Sequence, residues 1–355
     1  MLFTPFFDFT YHSLLKPVLF MMDPEVVHEG FTKVGEGLER TPWLVAPFFR
    51  YSHPSLKKTV LGIEFDNPVG LSAGFDYDGH MAAVMHSVGF GFNTVGTVTA
   101  RVYAGNAAPR LARLPKSHSL LVNKGFKSEG ARAVRARLDK KNLSHSTIGL
   151  SVGSSNVPEV NTVTKAIADY VTTFKLFAKR KYVKYFELNI SCPNTAVTGT
   201  FYAPENFARL CKAVSALKLF PPIFVKMPSE ISFVDSDALV STALKYNIRG
   251  FIFSNLVKDR NNPAFDRGEI EKVVGLRGNF SGRPVYANSN KLIAHTRKKF
   301  GKKIAIIGVG GVFTTADVRA KFAAGADLVQ LITGMIFEGP QLIGKINKSL
   351  AGDAS

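Results

Sequence analysis

The sequence predicts an α/β fold, a TIM-type (β/α)8 barrel with a small N-terminal helical extension, and three observations carry that expectation. Eight short β-like runs alternate with helical stretches from about residue 60 onward. Most of these runs are nearly continuous in apolar residues, as parallel strands covered on both faces are. Polar or glycine-rich tips follow the runs, at the end where such barrels carry their chemistry. A doubly wound open sheet is the alternative architecture.

Taken in order, the chain opens on MLFTPFFDFTYHSLLKPVLFMMDPEVVHEG. Asp8, His12, Lys16, Pro17 and Asp23 interrupt it before about 18 apolar residues accumulate, so it does not read as a transmembrane span. With no basic leader and no small-residue cleavage site, it does not read as a signal peptide either. Leu14, Leu15, Val18, Leu19 and Met22 fall at helical spacing, with Pro17 at that helix's start or kinking it. Asp23 suits the cap of a second helix and Pro24 its first position, and Val26, Val27, Phe31, Val34 and Leu38 make one stripe along it. Such a pair of helices is either a packed cap or a monotopic membrane anchor. Trp43 to Tyr51 (WLVAPFFRY) adds aromatics at the junction. The eight runs then follow: Pro68 to Ser72, Phe92 to Val98, Thr147 to Val152, Val183 to Ile190, Pro222 to Met227, Gly250 to Ser254, Ile304 to Val309 and Leu328 to Ile332.

Bulk properties narrow the function classes. The 355 residues are 46% hydrophobic, and 45 Lys+Arg against 27 Asp+Glu give a net charge of +18. That balance favours acidic ligands or anionic surfaces. The densest basic cluster, RKKFGKK at Arg297 to Lys303, reads as a solvated helix end, and no zinc-finger or RNA-binding signature accompanies it, so no nucleic-acid partner is expected. Two cysteines, Cys192 and Cys211, cannot make a disulfide framework. No metal-ligand spacing occurs around them.

The strand tips carry the candidate chemistry. Gly308-Val309-Gly310-Gly311 followed by Thr314-Thr315-Ala316-Asp317 reads as a strand entering a helix whose bare N–H groups can take a phosphate. Thr333-Gly334, after the last run, completes the usual phosphate corner of such barrels. Lys226 would put a costly ammonium into the barrel mouth unless an anion meets it, the plain alternative being a snorkelling surface lysine. Asn189, Asn194 and Asn255 offer donors and acceptors for a flat heterocycle. Cys192, in ELNISCPN, follows a strand end and precedes proline within a polar loop. It can be an inert buried residue, or a base once neighbours stabilise its thiolate.

These residues closely resemble the dihydroorotate dehydrogenase family along nearly the whole chain. The matching pieces are NPVGLSAGFDYDG (67 to 79), GFGFNTVGTVTARVYAGNAAPRLARLP (89 to 115), ELNISCPNT (187 to 195), GVGGVFTTADV (308 to 318) and LVQLITGMIFEGP (328 to 340). The helical prelude resembles that of the membrane-associated, quinone-reducing class 2 enzymes. The resemblance implies residues 1–45 as a membrane-associating extension with a quinone tunnel and 46–355 as a barrel holding FMN. It implies flavin-binding roles for Ala73, Gly74, Thr97, Ser151, Asn189, Lys226, Ser254, Gly282, Gly310, Gly311, Thr333 and Gly334. Tyr77, Asn123, Asn189, Asn194 and Asn255 fall at substrate-binding positions. Cys192 falls at that of the base that removes the C5 proton, with Phe126 and Thr195 around it. The localisation implied is peripheral, on the cytoplasmic face of the inner membrane in a bacterial cell.

Several positions depart from the family pattern. Cysteine at the base position resembles the soluble class 1 enzymes, whereas Phe126 and Thr195 match class 2. Tyr77 stands where the family has a lysine that meets the substrate carboxylate. Leu256 replaces a hydroxyl residue, Ser151 an asparagine and Ile332 a tyrosine, and Val122-Asn123-Lys124-Gly125-Phe126 is one residue short of Asn-Arg-x-Gly-Phe. The expected function is FMN-dependent oxidation of dihydroorotate to orotate, a step of pyrimidine biosynthesis, with quinone as acceptor. A second expectation is an FMN enzyme acting on another dihydropyrimidine-like ring, and a third is a flavin-binding homologue without turnover.

Overall fold

The computed structural model describes residues 4–191 and 201–352. All eight expected runs are strands: β1 Val69–Leu71, β2 Phe92–Val98, β3 Ile148–Val152, β4 Val183–Asn189, β5 Ile223–Lys226, β6 Gly250–Phe253, β7 Ala305–Val309 and β8 Leu328–Leu331. They pair in parallel in chain order and close into a barrel, with β8 hydrogen-bonded to β1 through Val329↔Val69 and Leu331↔Leu71. Closure removes both sheet edges, and with them the doubly wound alternative.

The apolar runs conceal a period of two. On β4, Phe186 and Leu188 face outward into the layer shared with the helices, where the Phe174 ring of helix Val163–Phe177 lies 5.0 Å from that of Phe186. Tyr185, Glu187 and Asn189 face inward instead. Both faces are buried, so hydropathy alone cannot separate them.

Inside the barrel the side chains form layers. The floor is made of Phe92, Tyr185, Phe224, Ile252, Ile307 and Leu328, covered by Phe65 from the hairpin Lys58–Val60/Ile63–Phe65. Three inward glycines make room for the large rings. A Cβ at Gly70 would stand 2.2 Å from the Phe92 ring, at Gly149 2.1 Å from Tyr185, and at Gly250 2.5 Å from Phe224. Above the floor lies a polar layer in which Thr94 Oγ1 donates to Glu187 Oε1 (2.6 Å) and Gln330 Nε2 donates to the same oxygen (2.9 Å). The Tyr185 hydroxyl lies 2.7 Å from Thr94 Oγ1. These bonds satisfy part of the layer, while Glu187 Oε2 and Gln330 Oε1 are buried with no hydrogen-bond partner among the described residues.

The N-terminal extension folds as α1 Thr4–Phe9, a π-helical turn Thr10–Leu15, α2 Lys16–Met21, α3 Pro24–Leu38 and α4 Pro42–Phe49. Pro17 sits in the first turn of α2, and the Asp23 carboxylate caps α3 by accepting from the amides of Glu25 (2.8 Å) and Val26 (3.1 Å). The boundary expected at residue 45 falls inside α4, whose Val45 packs with Met81 and Met85 of the barrel.

Helix α3 and its C-cap Glu39 meet the barrel largely through charged side chains, with Leu38 of the apolar stripe packing against the core. Glu25 pairs with Lys124 and with Arg110 (3.0 Å), Glu29 with Lys127 (3.6 Å), Glu36 with His80 (3.1 Å) and Glu39 with Lys141. His28 Nε2 lies 2.7 Å from the Phe75 carbonyl oxygen. Val26, Phe31 and Val34 of the expected stripe are exposed, as are Phe6, Phe9, Leu14, Val18, Met21 and Trp43 nearby. Among the described residues no helix is long and apolar enough to cross a membrane.

Candidate active site

The strand tips bring most of the expected residues together at the carboxyl mouth of the barrel. A chain of hydrogen bonds runs around it. Thr97 Oγ1 lies 2.9 Å from Ser151 Oγ and accepts from Asn189 Nδ2 at 2.9 Å. Asn189 Oδ1 in turn accepts from Ser191 Oγ at 3.2 Å, and Asn255 Nδ2 donates to that Ser191 oxygen at 2.9 Å. Lys226, in register with Asn189, is buried and donates to Ser72 Oγ at 3.2 Å, so the snorkelling alternative does not hold. The short strands aim these groups at one another because inward positions recur every second residue.

Beside this ring lies a pocket of about 90 Å³ lined by Ser254, Gly282, Gly310, Gly311, Thr333 and Gly334. Gly310 (φ +106°), Gly311 (φ +71°) and Gly282 (φ +83°) adopt backbone that side chains disfavour, and a Cβ at Gly334 would stand 1.9 Å from the Val312 carbonyl oxygen. Ser254 Oγ is buried among them with no hydrogen-bond partner among the described residues. A bare backbone cradle with an orphaned hydroxyl fits a phosphate-bearing cofactor.

The following helix, Thr315–Ala324, begins a few residues after Gly311. Its N-terminus is closed by a capping box between Thr314 and Asp317, and Asp317 also accepts from the amides of Phe313 (2.9 Å) and Thr314 (3.0 Å). Burial alone would raise the Asp317 carboxyl, but Arg283, at 2.9 Å, the Phe313 amide and the Thr314 hydroxyl hold it below its ordinary value. The box engages the Asp317 amide, and the Arg283–Asp317 pair ties the helix start to the segment that follows Gly282.

A larger cavity, about 460 Å³, opens onto the same mouth. At one end it touches Ala73, Gly74, Thr97, Asn189, Lys226 and Asn255, and at the other Leu19, Phe20, Val27 and Phe31 of the helical extension. Phe126, at φ +66°, packs on Gly153 and lines it, as do Tyr77, Leu256 and Ile332. Asn123 does not line the cavity: its Oδ1 accepts from Asn106 Nδ2 at 2.8 Å, and Lys124 faces the space instead. The alternation Leu120, Val122, Lys124 along one strand and its exit explains this. Cys192, Asn194 and Thr195 lie outside the described residues. Ser72, Ser191 and Lys124 join the site without having been singled out. The inward position of Ser72 and the place of Ser191 between Asn189 and Cys192 were the available signals.

The chain is similar to known proteins over nearly its whole length. A family model described as dihydroorotate dehydrogenase matches residues 55–352. A Synechococcus sp. (strain JA-3-3Ab) protein named dihydroorotate dehydrogenase (quinone) is 34% identical over 352 residues, 96% of this chain and 92% of that one. One of the same name from Rhizobium meliloti (strain 1021) is 35% identical over 342 residues, 94% of this chain and 89% of the relative. A crystal structure of DHODH from Eimeria tenella in complex with ferulenol superposes with a TM-score of 0.81 at 26% identity, covering 94% of this chain and 93% of that one. With its closed barrel, its glycine cradle and these relatives, the chain is an oxidoreductase that belongs to the dihydroorotate dehydrogenase family.

Proposed function

We propose that the chain oxidises dihydroorotate to orotate with FMN as cofactor and passes the electrons to a quinone. One observation carries this reading: a single cavity joins the amide-and-ammonium ring at the barrel mouth to the apolar helical extension. The cradle of Gly282, Gly310, Gly311, Thr333 and Gly334 would hold the phosphate of FMN, with Ser254 as a further donor. Ala73, Gly74, Thr97, Ser151 and Lys226 would line its ring system. FMN, when bound, supplies the redox chemistry, acceptance of a hydride from C6. The chain's own groups do the rest. Asn189, Asn194 and Asn255 orient the substrate ring by its amide edges, and Lys226 offers positive charge to the electron-rich side of the site. Cys192 removes the C5 proton, which a thiolate can do near neutral pH once its pKa falls below the ordinary value of roughly 8.5.

Exposed Phe31 and Val34 of α3 line the cavity, further apolar side chains of α1 and α2 are exposed, and the net charge is +18. Peripheral attachment to an anionic membrane, with quinone arriving from the lipid, follows as part of the same reading. A second reading is favoured by Tyr77 and Leu256, neutral groups on the cavity wall: an uncharged dihydropyrimidine as substrate. Anaerobic mixing of the flavin-loaded protein with dihydroorotate, and separately with dihydrouracil, separates the two. Rapid bleaching of the flavin by dihydroorotate is expected, with Cys192→Ala retaining flavin but bleaching slowly. Bleaching by dihydrouracil alone would replace the first reading with the second.

A further inference from the structure

The inner end of the tunnel holds a charge cluster that the reading above leaves unused. Lys124 is 5% exposed, and its ammonium pairs with the Glu25 carboxylate at the start of α3. The other Glu25 oxygen accepts from Arg110 Nε at 3.0 Å, so two cations share one carboxylate and the cluster carries an excess positive charge. Lys124 Nζ also lies 5.7 Å from the centre of the Tyr77 ring, over its face. Tyr77 lines the cavity, with the His28 ring 5.3 Å away, and no hydrogen bond reaches its hydroxyl from the described residues. Buried positive charge in apolar surroundings is costly unless a further anion or a strong acceptor meets it. Leu120 and Val122 line the tunnel on the same face as Lys124, whereas Asn123 points elsewhere. The cluster therefore addresses whatever enters along α2 and α3.

We infer that Lys124, held by Glu25 and laid over Tyr77, is a specificity-determining residue for the electron acceptor: it offers an ammonium to an anionic ring oxygen at the tunnel's inner end. The inference rests on the quinone reading above and names the preferred acceptor class, a ring whose carbonyl neighbours an ionised hydroxyl. Glu25 is the internal rival for that ammonium, so it sets how strongly the preference is expressed.

The test is calorimetric titration of the oxidised, flavin-loaded protein with lawsone, a hydroxynaphthoquinone ionised at neutral pH, and with menadione, its neutral methyl counterpart. Lys124→Met is expected to weaken lawsone binding about tenfold to a hundredfold, the range of one hydrogen bond to a charged group, while menadione binding changes by less than about threefold. Lys124→Arg, which keeps the cation, retains the preference for lawsone, and Glu25→Gln strengthens it. Flavin content and thermal unfolding identify variants that fail to fold, and the Lys124→Arg result then decides. Equal weakening of both ligands, no weakening of either, or a loss confined to dihydroorotate affinity would overturn the assignment. If flavin-loaded wild type binds neither quinone, the acceptor reading itself fails first.

Discussion

Replacing Gly334 by alanine tests the phosphate cradle directly. The added methyl would stand 1.9 Å from the Val312 carbonyl oxygen, about 1.5 Å short of ordinary contact, and the obstacle is backbone rather than a flexible side chain. Either the turn after β7 or the start of the helix Thr333–Glu338 must move by that distance. Both carry cradle residues, Gly310 and Gly311 on one side and Thr333 on the other. Overpacking of this kind costs about 1 to 3 kcal/mol of stability. A phosphate displaced from its N–H donors loses about 1.5 to 3 kcal/mol per charge-assisted bond, so two lost bonds lower FMN affinity by at least about a hundredfold. The assay is titration of the flavin-free protein by quenching of FMN fluorescence, with Gly37→Ala as control. Gly37 lies in α3 with nothing within 4 Å of its added Cβ, so the control keeps its flavin affinity. Gly334→Ala binding FMN within about threefold of wild type would refute the assignment of this pocket to the phosphate.

Other expectations follow from the same geometry. Gly149→Ala, which would drive a methyl to 2.1 Å from the Tyr185 ring, lowers unfolding stability by about 1 to 3 kcal/mol or prevents folding, as urea titration would reveal. Lys321 is fully buried, its Nζ 3.0 Å from both Ser289 Oγ and Asn290 Oδ1, and burial lowers its pKa to about 7. Because the unfolded chain binds that proton up to its ordinary pKa of 10.5, the stability contribution rises with pH between about 7 and 10.5, and Lys321→Met flattens that rise in denaturant titrations across the range. Met21 and Trp43 are 80% and 67% exposed, and changing both to glutamate reduces co-sedimentation with anionic vesicles at least about tenfold. Unchanged sedimentation would remove the membrane from the reading of the extension.

The barrel was legible because its signal is repeated: each strand is too short to identify alone, but eight in order admit few topologies. Which residues of a strand face inward was less legible. Glu187 and Gln330 sit within apolar runs, and their pairing through Thr94 joins strands far apart in sequence. Glycine weakens a strand taken alone, but Gly149 provides the space into which a floor ring fits. At the mouth, Lys226 and Asn189 were readable from strand ends, whereas Ser191 acquires meaning only when Asn255 reaches it. The glycine-rich tips after β7 and β8 were readable as a cradle, whereas the capping box of Thr314 and Asp317 beside them becomes visible only in the folded turn. Lys124 escaped notice because its partner, Glu25, lies 99 positions away.

The stoppered floor has a consequence for how such a protein can change. Phe65, Phe92, Tyr185 and Phe224 fill the lower end with rings and leave the reactive groups to the opposite rim. Traffic of small molecules is thereby restricted to that rim and the helices beside it. Apart from the Tyr185 hydroxyl that meets Thr94, substitutions below the Glu187 layer are weighed by shape, so that half of the barrel can drift in sequence, provided its volume is conserved, while the rim acquires a different appetite.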